Sequence, residues 1–220
     1  MSPELGRYLL ILVAFIVLGW FALGTQLNIR RGNRLLQWLG QGLPLVGERT
    51  TLRWLGSSAI ELKVQAALAP FDSAEVFVVL EPRDLPVLWW LFRAWGRRDL
   101  LIVRAVLRRA PRVELEVFHP GAWSARGRAR ALGREHWTLV SLPLHQPVPA
   151  SGSPLVAYAP RPADATADLL PLIPGAEGSL VRVAVRRTAP HLEVHWELRE
   201  LERLEARAVF ETFQQLAARL

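Results

Sequence analysis

Five histidines and no cysteine set the first limits on the chemistry available to this chain. His191 and His195 are four residues apart on a predicted strand, where about 3.3 Å per residue places them about 13 Å apart. That separation is too long for one metal ion without further ligands. His119, His136 and His145 also lack metal-ligand spacing, and thiolate chemistry is excluded. The histidines therefore predict no metal site.

Short catalytic motifs are equally missing. The chain contains no GxGxxG, GxxxxGK[ST], HExxH or GxSxG sequence. The scattered carboxylates cannot be assembled into a catalytic pair from sequence alone. We therefore predict no catalytic residue and no cofactor, and an enzyme is the less favoured class.

Arginines form two basic stripes on predicted strands. Their regular spacing suggests binding to phosphates or to an acidic partner, since a guanidinium forms two parallel hydrogen bonds to a phosphate or a carboxylate. The alternative is cross-strand ion pairing, worth about 0.2–1 kcal/mol per pair, with outward-pointing glutamates of the neighbouring strands. We favour the pairs. The stripes are Arg104, Arg108, Arg182 and Arg186, and the glutamates are Glu114, Glu116, Glu193 and Glu197.

A tryptophan-rich segment, Leu85–Trp95, is apolar nearly all round. Trp89, Trp90 and Trp95 supply its bulk, and Arg97 and Arg98 follow it. A helix that is apolar all round is usually buried, whereas tryptophan beside arginine is typical of a membrane interface. Core packing, membrane-surface contact and a groove for a partner protein all remain open.

Residues 8–29 carry no charged side chain. At about 1.5 Å per residue this run covers about 33 Å, enough to cross a hydrocarbon core of about 30 Å. A cleaved signal peptide, with Ala22 and Gly24 before the cut, and a buried helix of a soluble domain are the alternatives. The length and the arginines that follow favour a retained transmembrane anchor.

The flanking charges predict the orientation of that anchor. More arginine follows the span than precedes it, and an excess of Lys and Arg marks the cytoplasmic side. We expect the N-terminus outside and the remaining chain in the cytoplasm, at the inner membrane of the cell. The segment that follows mixes arginine and tryptophan, and it is either a lipid-contacting element or a plain linker. The residues concerned are Arg30, Arg31, Arg34 and Trp38.

Composition indicates a folded chain with a basic surface. Apolar residues make up 51% of the 220 residues, and the net charge of +7 comes almost wholly from arginine. A positive domain next to a bilayer attracts anionic headgroups. Anionic lipid is therefore a candidate partner, whereas nucleic acid is disfavoured.

Similar segments recur at a constant shift, which predicts a tandem duplication. Arg108–Arg109 returns as Arg186–Arg187, and Pro82–Arg83 returns as Pro160–Arg161. In both units, period-2 patterns flank an Ala-Pro turn and predict a hairpin. The first hairpin would join 100–108 to 113–118, and the second would join 180–187 to 192–197.

These patterns predict an α+β chain with a single transmembrane helix, two β-rich repeats related by a pseudo-twofold axis and a C-terminal amphipathic helix. The predicted parts are an anchor (1–29), a basic linker (30–49), repeat 1 (50–120), repeat 2 with its linker (121–199) and the helix (198–220).

The sequence favours a membrane-anchored, non-catalytic scaffold that docks a protein partner. A membrane-held module for anionic lipid or nucleic acid, and an enzyme with a site between the repeats, are the alternatives. No resemblance to a known family supports any of them.

Overall fold

The apolar N-terminal run forms the first part of one long helix. The computed structural model describes residues 3–125, 127–140, 155–161 and 179–220. Within these ranges α1 (Pro3–Leu39) is the one helix long and apolar enough to cross a membrane, and its apolar window is almost entirely exposed. The helix continues without a break past residue 29. The predicted boundary between anchor and linker is therefore not a structural boundary.

The second half of α1 packs on the rest of the chain along one face. The buried positions recur every three or four residues, which is the spacing of a single helix face. Leu35 and Leu39 belong to the main hydrophobic core, so they do not form a separate short helix on the headgroups. The buried positions are Gly24, Asn28, Gly32, Leu35 and Leu39.

One nine-stranded antiparallel sheet makes up most of the domain, in the order β1-β2-β3-β4-β9-β8-β5-β7-β6. The β-branched and aromatic runs of the sequence favour these strands. The strands are β1 (Gly47–Trp54), β2 (Ala59–Ala67), β3 (Phe71–Val79), β4 (Leu100–Leu107), β5 (Leu115–Phe118), β6 (Thr138–Val140), β7 (Val156–Ala159), β8 (Leu180–Val185) and β9 (Leu192–Glu197).

Strand pairing confirms one predicted hairpin and contradicts the other. β8 and β9 pair directly across their Ala-Pro turn. β4 and β5 do not pair, because β9 and β8 lie between them and bind β4 and β5 respectively. A local pattern identifies strands but not their partners. The sheet order does not establish the proposed duplication or its symmetry, which stay predictions.

The two faces of the sheet differ in polarity. Apolar side chains of β2, β3, β4 and β9 form the buried face, for example Val76, Val103 and Val194. This face packs against α1 and the C-terminal helices. The opposite face carries charged residues, and a small cluster around Phe118, Leu132 and Trp137 covers part of it. The short helix α3 (Arg128–Arg134) belongs to that cover.

The C-terminal segment forms two helices and not the continuous helix that its apolar spacing predicts. They are α4 (Leu198–Leu201) and α5 (Ala206–Arg219). The break coincides with contacts to α1, since Trp38 Nε1 donates to the carbonyl of Leu204 at 3.0 Å. The face of α5 that carries Val209, Phe213 and Leu216 is buried in the core.

The tryptophan-rich segment forms α2 (Pro86–Ala94), a helix with no buried residue. Of the three alternatives, burial in the core is therefore wrong. β6 ends at Val140, and His145 lies outside the described residues, as does most of the segment 154–178.

Candidate membrane-boundary site

The side chain of Arg83 ties α1 to the sheet. Its Nη1 donates to Asn28 Oδ1 at 3.0 Å, and its two Nη groups donate to Asp99 at 3.1 and 2.9 Å. Asn28 is fully buried, and its Nδ2 donates to the carbonyl of Glu81 at 3.2 Å. These bonds join helix α1, the end of β3 and the start of β4 in one buried network.

Arg31, one turn further along α1, makes a second tie. Its Nη1 donates to Glu202 at 2.8 Å, its Nη2 makes a second bond to the same carboxylate, and its Nε lies 3.5 Å from Asp99. Bidentate arginine–carboxylate pairs fix orientation as well as distance. Arg31 therefore links α1 to the segment between α4 and α5.

Two glycines of α1 allow this close approach. A Cβ atom added at Gly24 would collide with the backbone of Arg83, and one added at Gly32 would collide with the ring of Trp54. By contrast, Gly19 has nothing within 4 Å of such an atom. The contact between α1 and the domain thus begins near Gly24.

The contact extends to Trp20, inside the apolar run. Trp20 Nε1 donates to the carbonyl of Arg83 at 3.0 Å, and its ring lies 6.4 Å from that of Trp89. Helix α2 therefore lies beside the apolar part of α1.

The inner face of α2 is held by the carboxylate of Glu81, which is 3% exposed. Trp89 Nε1 donates to it at 2.6 Å and Arg93 Nη1 at 3.1 Å. The outer face is apolar and open, with Val87 75% exposed and Trp90 69% exposed. The polar atoms of α2 thus face the domain and its apolar side chains face outward.

The other residues that the sequence predicts to contact the membrane surface or a partner lie around this region. Arg30 and Arg34 are exposed on α1, whereas Arg31 and Trp38 make the contacts to Glu202 and Leu204 described above. Beyond α2, the guanidinium of Arg97 lies over the rings of Phe92 and Trp123. Arg98 donates to the carbonyls of Arg93 and Arg97, and Trp95 is 47% exposed.

The charged face of the sheet holds a buried glutamate among three arginines. Glu116 is fully buried, which corrects the prediction that it points outward. Arg128 donates to it at 2.5 and 2.7 Å, Arg182 at 2.8 Å, and Arg186 completes the group. Burial alone would raise the pKa of Glu116, but the hydrogen bond from Arg128 and the charge of Arg182 bring it below its usual value.

Glu193 is the centre of a second cluster on the same face. Arg104 Nε and Arg182 Nη1 each donate to it at 2.7 Å, and His195 Nε2 lies 2.7 Å from it. Burial favours the neutral acid, but the hydrogen bond and charge of His195, with the two arginines, lower the pKa of Glu193 to about 2.

Three of the four predicted stripe arginines therefore have carboxylate partners. Arg104, Arg182 and Arg186 bind Glu193 or Glu116, whereas Arg108 donates to the carbonyls of Phe71 and Ala67. Cross-strand ion pairing, the interpretation that the sequence favours, therefore describes Arg104, Arg182 and Arg186.

A cavity of about 210 Å³ lies between the loop after α2, the segment around Trp123 and the ends of β8 and β9. Polar groups line much of it. Burial lowers the pKa of His119 and raises the pKa of Glu197. The polar lining consists of Arg97, Arg98, His119, Ser124, Ser179 and Glu197.

No protein-family model matches the chain, and no curated protein matches its sequence. Among the described residues, no group of three His, Asp or Glu side chains is arranged to hold a metal ion.

Sequence reasoning missed the residues that join α1 to the domain. Asn28, Glu81, Asp99 and Glu202 belong to no motif, and Arg83 was noted only in the recurring Pro82–Arg83 pair. One signal was present in the spacing Gly24-x₃-Asn28-x₃-Gly32, which puts two small residues and one amide on a single face of an apolar helix.

Proposed function

We propose that the protein is a single-pass membrane-anchored scaffold whose cytoplasmic sheet domain docks a protein partner at the membrane. The observation that carries this proposal is that two side-chain contacts join α1 to the domain. One is the hydrogen bond from Arg83 to Asn28, and the other is the hydrogen bond from Arg31 to Glu202. A flexible linker would only tether the domain. A helix joined by a hydrogen bond from Arg83 and a partly buried ion pair from Arg31 holds the sheet in one orientation relative to the bilayer, as a docking platform requires.

The outer edge of β1 is the docking surface that we propose. β1 ends the sheet, and residues 48–53 are all exposed. Unpaired backbone groups at such an edge can accept a strand of another chain. Arg49 and Arg53 lie on this strand, and Arg53 also has its Nε 3.3 Å from Glu61 of β2. The complementary partner is therefore an extended acidic segment.

Purification of the full chain from its native membranes in mild detergent tests the scaffold. We expect a stoichiometric partner to co-purify and to be lost from the double variant Arg49→Glu/Arg53→Glu. The matched control is Arg109→Glu/Arg130→Glu, which makes the same charge change at exposed residues away from β1. Absence of any stoichiometric partner, or equal loss from both double variants, would contradict the proposal.

The cavity beside Glu197 favours a second candidate, an enzyme acting on a membrane-bound substrate. A carboxyl group, an imidazole and two hydroxyls line one cavity beside the loop that follows α2. Turnover of a lipid substrate by the purified chain, abolished in Glu197→Gln, would support the enzyme and count against the scaffold.

A further inference from the structure

We propose that α2 is embedded in the same bilayer that α1 crosses, at the inner boundary of the hydrocarbon core, with its outer face in contact with lipid. This inference rests on the proposed membrane anchorage and adds a second membrane-contacting element to it.

The depth of α2 follows from α1. Large apolar side chains are exposed along α1 from Leu5 to Ile29, a length of about 36 Å at about 1.5 Å per residue. A hydrophobic stretch of this length crosses a hydrocarbon core of about 30 Å with some tilt. Trp20 lies in the half of that stretch nearer the domain, and its ring lies 6.4 Å from that of Trp89. Lipid that surrounds Trp20 on its exposed sides therefore reaches α2 as well.

The two faces of α2 suit that position. Trp89 and Arg93, four residues apart, direct their polar atoms to Glu81. Val87 and Trp90, three residues apart, expose large apolar surfaces on another side. A short helix with its polar groups satisfied inward and its apolar groups outward is stable at a lipid surface.

The charges at the end of α2 point to an anionic surface. Arg97 and Arg98 follow the helix directly, and Arg30 and Arg34 are exposed on α1. Basic side chains close to an anionic leaflet are attracted to it. Lipid therefore covers the exposed face of α2 better than an apolar groove of another protein.

Single-cysteine variants test the depth directly, because the chain contains no cysteine. Val87→Cys, Trp90→Cys, Val13→Cys and Leu139→Cys each receive an NBD fluorophore in the full chain. The purified variants are reconstituted in phosphatidylcholine–phosphatidylglycerol vesicles that carry nitroxide-labelled lipids. Leu139, on β6, is the matched control because it is as exposed as Trp90, at 65% against 69%.

We expect blue-shifted emission and quenching by shallow nitroxides at positions 87 and 90, quenching by deep nitroxides at 13, and water-like emission at 139. Labels at 87 and 90 that behave like the label at 139, while 13 is quenched, would overturn this inference and leave the anchor intact. A label at 13 without quenching would overturn the anchor and the inference together. The two α2 positions are independent, so failure of one variant to fold leaves the other decisive.

Discussion

The ring centroids of Trp20 and Trp89 lie 6.4 Å apart, with an interplanar angle of 40°. Trp20 belongs to the apolar part of α1, and Trp89 belongs to the helix between β3 and β4. The domain therefore begins beside the apolar part of α1, without an intervening linker. The position and tilt of the sheet follow from the position and tilt of α1.

Gly24→Leu should separate α1 from the domain. The new side chain collides with the backbone of Arg83, whereas Gly19→Leu on the same helix meets open space. Overpacking of a tight contact costs about 1–3 kcal/mol. We expect Gly24→Leu to lower the melting temperature measured by circular dichroism in detergent, and Gly19→Leu to leave it unchanged. Equal effects of the two variants would show that Gly24 is not a contact position.

Arg83→Met should destabilise the fold by about 3 kcal/mol, because it leaves a buried carboxylate without its main partner. Asp99 is 8% exposed and accepts two bonds from Arg83. The control is Arg34→Met, an exposed arginine of α1 that should change the free energy of unfolding by less than about 0.5 kcal/mol. The double variant Arg83→Met/Asp99→Asn removes the charge but keeps an acceptor for the backbone N–H of Glu81, and it should recover part of the loss. No recovery would contradict the charge-based explanation.

Glu116→Gln should also be strongly destabilising, by about 3 kcal/mol. The variant leaves three arginine side chains, Arg128, Arg182 and Arg186, without their shared carboxylate. Glu75→Gln removes a glutamate from the same sheet face where the side chain is 40% exposed, and it should have little effect. Chemical denaturation of both variants measures the difference, and similar values for the two would exclude a special role for Glu116.

The ionised form of Glu193 should stabilise the protein above about pH 4.5. Its pKa is about 2 in the folded state against an ordinary value of 4.5. A carboxyl group whose pKa is lower in the folded state stabilises the fold at pH values above its pKa in the unfolded state. That stabilisation is lost as the pH falls from about 4.5 towards 2. The full contribution is about 3 kcal/mol.

The variant Glu193→Gln provides the measurement. The difference in free energy of unfolding between the native chain and this variant should shrink as the solution is acidified from about pH 4.5 towards pH 2. A difference that stays constant over that range would mean that Glu193 acts through packing and not through its charge.

Much of the fold could be predicted from apolar spacing. Period-2 runs identified the central strands, and helical spacing identified the amphipathic C-terminal segment, whose apolar face is buried in the core. The predicted hairpin between 100–108 and 113–118 was wrong because β4 pairs with β9, which comes much later in the sequence. Pairing partners depend on long-range packing, which a local pattern does not contain.

The candidate site was harder to predict. Glu116 sits in the alternating sequence of β5, where a charged residue normally faces solvent. Its burial depends on arginines from α3, β8 and the β8–β9 turn, and such convergence is visible only in three dimensions. The role of α1 as a core element was hidden in the same way, because its buried face is defined by glycine and asparagine among many apolar residues.

The most direct test of the rigid connection between anchor and sheet is a distance measurement by pulsed electron paramagnetic resonance. Nitroxide labels at Val17→Cys on α1 and Leu139→Cys on β6 would report it in the full chain in lipid nanodiscs. We predict a single narrow distance distribution, which the additional substitution Gly24→Leu should broaden. A broad distribution in the chain that retains Gly24 would contradict the account, because it would show that α1 only tethers the domain.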